Sequence, residues 1–158
     1  MRRGILLYLL LVLSVLFQIS VLKGASWCPD MILLIAMFAA IFYDTARGVI
    51  FCFTVGCLRG LLSVYTLPVD MAVFPLLALI AAVISRVFYR QNPVTYVLVV
   101  SIAIFSLIIS HVVYFDLVSN ISADIGSVLF GSWKTIASTI LVSPLLFPLL
   151  NKLMEARS

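Results

Sequence analysis

Charge is the scarcest property of this sequence. Of its 158 residues 10% are charged and 65% are hydrophobic, and the mean hydropathy is +1.28. A soluble domain carries roughly 25% charged residues. Too few polar groups are present to coat a water-facing globule, so the composition predicts a polytopic membrane protein. No polar stretch is long enough for a separate soluble domain, which leaves a single transmembrane domain over residues 1–158. Cysteine is scarce too. Cys28, Cys52 and Cys57 make an odd count, and the last two lie five apart in an apolar run. That argues against a disulfide framework, and the spacing is not one that metals use.

Catalytic signatures are also missing. There is no His-Glu-x-x-His for zinc, no Gly-x-Ser-x-Gly for a serine nucleophile and no Gly-rich phosphate loop. No two acids lie deep in facing apolar runs, and the single histidine, His111, is not a metal site alone. It reads as a hydrogen-bonded helix-end residue, or else as a pH-sensitive contact. The expectation is a protein that is not an enzyme and has no cofactor and no metal. The net charge of +4 accompanies no basic patch interleaved with stacking aromatics, so no nucleic-acid partner is expected.

What is present is a succession of apolar runs. A membrane-crossing helix needs about 20 apolar residues. Six candidates fit, over about residues 4–22, 29–43, 48–66, 69–86, 93–115 and 128–150. The second is short, which suggests tilt or local thinning of the bilayer. Uniformly apolar runs lack the alternation of barrel strands, so the fold class is all-α, a six-helix transmembrane bundle. The first run follows Met1-Arg2-Arg3 like a signal peptide, but no good cleavage site follows it, so it reads as a retained helix. With the N-terminus cytoplasmic, the inner segments hold Arg2, Arg3, Arg47, Arg86, Arg90, Lys152 and Arg157, and the outer ones hold Lys23 and Lys134. This bias predicts cytoplasmic N- and C-termini. The longest connection is expected over residues 116–131, with an Asn120-Ile121-Ser122 glycosylation sequon whose use depends on the cell.

The third run contains a charge, in Val55-Gly56-Cys57-Leu58-Arg59-Gly60-Leu61-Leu62. At about 100° per residue, Gly48, Cys52, Gly56, Arg59, Gly60 and Ser63 share one sector of the helix. Gly56 and Gly60 have the small-xxx-small spacing that lets two membrane helices approach closely. Arg59 is therefore expected to face the bundle, and a charge there needs a partner. Asp30 and Asp70, at the heads of the second and fourth runs, are the candidates at similar depth. Snorkelling to the interface and contact with a partner protein are the alternatives. Pro29-Asp30 makes a good helix start. Pro144 and Pro148 interrupt the last run, which predicts a kink or a bend that shapes a groove.

These features, in order, resemble the MreD family of rod-shape membrane proteins. The resemblance is carried by the basic N-terminal run, by Pro29-Asp30 before "MILLIAMFAAIF", by Arg47-Gly48, Gly56 and Gly60-Leu61-Leu62, and by the ending "ILVSPLLFPLLNKL". It covers nearly the whole chain. One departure is that Ser63 and Val64 stand where members often have an aspartate, and Arg59 lies between the glycines. The resemblance implies a non-catalytic scaffold in the bacterial cytoplasmic membrane. Its partner would be an MreC-like single-span protein, packed through faces rich in small residues. Through that partner it would be tied to MreB, RodA and a penicillin-binding protein, directing sidewall peptidoglycan synthesis. The resemblance also implies a fold similar to the substrate-binding subunits of vitamin transporters, which makes such a subunit the alternative function.

Overall fold

The computed structural model describes residues 2–20, 27–62, 66–88, 92–119 and 125–155. They form α1 (Arg2–Ser20), α2 (Met31–Phe42), α3 (Thr45–Leu62), α4 (Leu67–Val87), α5 (Pro93–Ser119) and α6 (Ile125–Glu155). No strand occurs among the described residues. Helices α3 to α6 are each long and apolar enough to cross a membrane, whereas the apolar stretches of α1 and α2 are shorter.

The short second helix lies inside the bundle. Its 12 residues rise about 18 Å, against a hydrocarbon layer of about 30 Å. Every residue from Ile32 to Ile41 is buried, and α2 touches all five other helices. It is the central pillar of the bundle, and its all-round apolar sequence is what a helix without a solvent or lipid face requires. Its start differs from the expectation. Pro29 precedes the helix, and Asp30 is the N-cap, its side chain accepting from the Leu33 N–H at 3.1 Å.

Around this pillar α3 packs most extensively on α4, and α5 on α6. The outward faces carry large apolar side chains, among them Leu9, Leu61, Val83, Leu117 and Leu145, each more than half exposed. Apolar surface on this scale marks a membrane-facing exterior. Away from Asp30, the bundle closes with an aromatic cluster of Phe38, Phe42, Tyr96 and Phe147.

In the last third of the chain, one expectation needs correction, that for the connection between the last two helices. Helix α6 runs through both Pro144 and Pro148 as one element of 31 residues. Pro144 deprives the Ile140 carbonyl of its helical donor, and the Ser143 hydroxyl donates to that carbonyl at 2.8 Å. A substituted hydrogen bond of this kind lets membrane helices continue past proline. The connection expected over residues 116–131 is mostly helix, because α5 reaches Ser119 and α6 begins at Ile125. Gly126, Gly131 and Trp133 are thus helical, and both glycines are exposed on α6. The sequon and Asp124 lie outside the described residues, as do Lys23, Ser63, Arg90 and Arg157.

Candidate functional site

The small-residue stripe of α3 is divided between two neighbours in the same chain. Near the start of α3, a Cβ built on Gly48 would lie 3.3 Å from the Ala40 Cα of α2, and the Cys52 thiol donates to the Ala36 carbonyl at 3.3 Å. Further along, α4 takes over. A Cβ on Gly56 would lie 2.5 Å from the carbonyl oxygen of Asp70, and one on Gly60 2.6 Å from the Leu67 Cα. Both distances are shorter than real Cβ contacts. Backbone meets backbone there, as small-xxx-small spacing allows.

Close packing of α3 fixes Arg59. Its Nη1 lies 2.7 Å from Asp30 Oδ2, with both side chains mostly buried. No N–H of Nη1 is aligned on an acceptor, so the contact is a charge attraction rather than a hydrogen bond. The guanidinium carbon also lies 5.7 Å from the centre of the Phe74 ring, within cation–π range. Asp30 joins three helices. It caps α2 through Oδ1, meets α3 through Oδ2, and its own N–H donates to Thr139 Oγ1 of α6 at 2.9 Å.

Asp70, the other candidate, faces elsewhere. Its side chain is fully buried. Thr66 Oγ1 donates to Oδ2 at 2.9 Å, and His111 Nε2 of α5 lies 2.9 Å from Oδ1. The pair is a hydrogen bond when the imidazole is neutral and an ion pair when it is protonated. His111 read from sequence as a lone helix-end residue. Its partner lies 41 positions away, and only the fold brings the two together.

A crevice of about 240 Å³ opens beside these pairs. Helices α5 and α6 wall it, with Leu107 and Ile108 on one side and Ser132, Thr135 and Ile136 on the other. Asp30, Arg59 and His111 supply its charged and titratable groups; Gly48, Asp70, Pro144 and Pro148 do not line it. Nearby, Trp27 and Trp133 meet edge to face with ring centres 5.4 Å apart, and Lys134 Nζ lies 5.9 Å from the Trp27 ring. Cys28, two residues before Asp30, donates to the Pro29 carbonyl at 3.3 Å. Burial pushes its thiol up, and the Asp30 carboxylate adds to the rise. Among the described residues no three His, Cys, Asp or Glu side chains converge as metal ligands would.

Apolar helices wrapped around a buried pillar, with an ion pair set at one end, define a small polytopic helical membrane protein. The family model for the rod shape-determining protein MreD matches residues 2–157, and the chain belongs to that family, which serves rod shape determination. Neither a curated protein nor a solved structure gives a match.

Proposed function

We propose that this protein is a non-catalytic scaffold of the rod-shape machinery in the bacterial cytoplasmic membrane. It holds an MreC-like single-span protein and, through it, MreB, RodA and a penicillin-binding protein, so that sidewall peptidoglycan synthesis is organised in space. Both termini are cytoplasmic in this reading, which puts the Asp30–Arg59 end at the outer face. The observation that carries the proposal is the family match over residues 2–157. The glycines of α3 are already packed on α2 and α4. The partner helix therefore meets outward apolar side chains rather than that stripe.

A substrate-binding subunit of a vitamin-type transporter is less well supported. Ligand pockets of that kind enclose about 300–1,000 Å³, more than the 240 Å³ of the crevice. Purification from native membranes, with the associated chains identified, tests the proposal. A bitopic MreC-like protein supports it. ATPase subunits in its place contradict it.

A further inference from the structure

The crevice between α5 and α6 presents polar capacity that the bundle leaves unused. A guanidinium offers five N–H donors, and the contact with Asp30 engages one nitrogen of Arg59. The hydroxyls of Ser132 and Thr135 lie three residues apart on α6 and share a face. Both line the crevice, and neither donates a side-chain hydrogen bond among the described residues. Asp30 gives one carboxylate oxygen to Leu33 and the other to Arg59, and each oxygen keeps a further lone pair. Leu107, Ile108 and Ile136 make the rest of the wall apolar.

Depth adds a second constraint. Asp30 caps α2, and Arg59 is three residues from the last residue of α3, Leu62. The pair therefore sits within about 5 Å of the ends of α2 and α3 that face the crevice. A ligand suited to this place carries an anion for the guanidinium and hydroxyls, a cation for the carboxylate, and an apolar continuation. The 240 Å³ space is small for a drug-sized ligand and suits a headgroup such as phosphoethanolamine.

We propose that the crevice binds a zwitterionic phosphate ester, with its phosphate on Arg59, Ser132 and Thr135 and its ammonium on Asp30. An aminophospholipid supplies this headgroup from the membrane, and free phosphoethanolamine supplies it from solution. The proposal holds whether or not the protein is a scaffold.

The only two tryptophans, Trp27 and Trp133, lie together beside Ser132 and provide the readout. The full-length protein is placed in nanodiscs of phosphatidylglycerol, whose headgroup has the phosphate but no ammonium, and brominated phosphatidylethanolamine or brominated phosphatidylglycerol is added at increasing mole fraction. Phosphatidylethanolamine quenches the fluorescence at a mole fraction at least about fivefold lower than phosphatidylglycerol, and it saturates. Asp30→Asn removes the ammonium site and abolishes or reverses that preference. Thr135→Val, which leaves the Arg59–Asp30 contact in place, weakens phosphatidylethanolamine binding about threefold. Among proteins that show the preference, relief of quenching by O-phosphoethanolamine assigns the site to the free ester, and no relief assigns it to the lipid. Equal quenching by the two lipids in the wild type overturns the proposal. A preference that Asp30→Asn and Thr135→Val both leave unchanged does so too.

Discussion

The carbonyl oxygen of Asp70 occupies the space that a side chain on Gly56 would need, 2.5 Å from the position of its Cβ. The same aspartate turns its carboxylate away from α3, toward Thr66 and His111. One residue thus sets the spacing of α3 on α4 through its backbone and ties α4 to α5 through its side chain.

This arrangement ranks the glycines. Gly56→Ala and Gly60→Ala each force backbone apart and cost about 1–3 kcal/mol. Gly48→Ala, whose Cβ would meet Ala40 at 3.3 Å, costs less than about 1 kcal/mol. Gly131 has open space around it, and Gly131→Ala stays within about 0.5 kcal/mol of the wild type. Thermal unfolding in one detergent, followed for all four variants, gives the order.

Arg59 and Asp30 behave as a coupled pair. Arg59→Leu and Asp30→Asn each destabilise the protein, and the double variant loses less than the sum, with a coupling of at least about 0.5 kcal/mol. Asp30→Asn keeps a side chain able to cap α2, so its loss reports the charge contact more than the cap. Arg59→Leu combined with Asp70→Asn is additive. A detergent-stability cycle over the three single variants and their combinations measures both terms.

His111 keeps a buried carboxylate satisfied. His111→Ala leaves the fully buried Asp70 with Thr66 as its one remaining side-chain donor and costs about 3–5 kcal/mol. Adding Asp70→Asn to His111→Ala restores part of that loss, because a neutral amide is cheaper to bury than an unpaired charge. Unfolding midpoints of the three variants check this.

Cys28 labels slowly with maleimide near neutral pH. Its thiol is raised by burial first and by Asp30 second, so less thiolate is present than on an ordinary cysteine, and the thiolate is what reacts. The labelling rate rises with pH, and Asp30→Asn moves that rise to lower pH. Rates measured against pH in a Cys52→Ala, Cys57→Ala background show the shift.

The bundle was largely legible in the sequence because lipid-facing helices announce themselves by length and hydropathy. The sector shared by Gly48, Gly56, Arg59 and Gly60 was legible for the same reason, since one helix carries all four. Relations between helices were not. The pairing of Asp70 with His111 and the bond from the Asp30 N–H to Thr139 join residues 41 and 109 positions apart, and no local pattern encodes such distances. Composition narrowed the partner of Arg59 to Asp30 or Asp70 by depth, and the direction each carboxylate faces separates them. The central place of α2 did leave a signal. A short helix apolar on every side fits the middle of a bundle better than its rim.

Depletion and complementation in the bacterium that makes this protein test its service in rod shape determination. Depleted cells are expected to lose their rod shape. Wild-type protein and Gly131→Ala restore it. Gly56→Leu, which drives a large side chain into the Asp70 backbone, does not. Cells that stay rods when the protein is absent would show that it does not serve rod shape there.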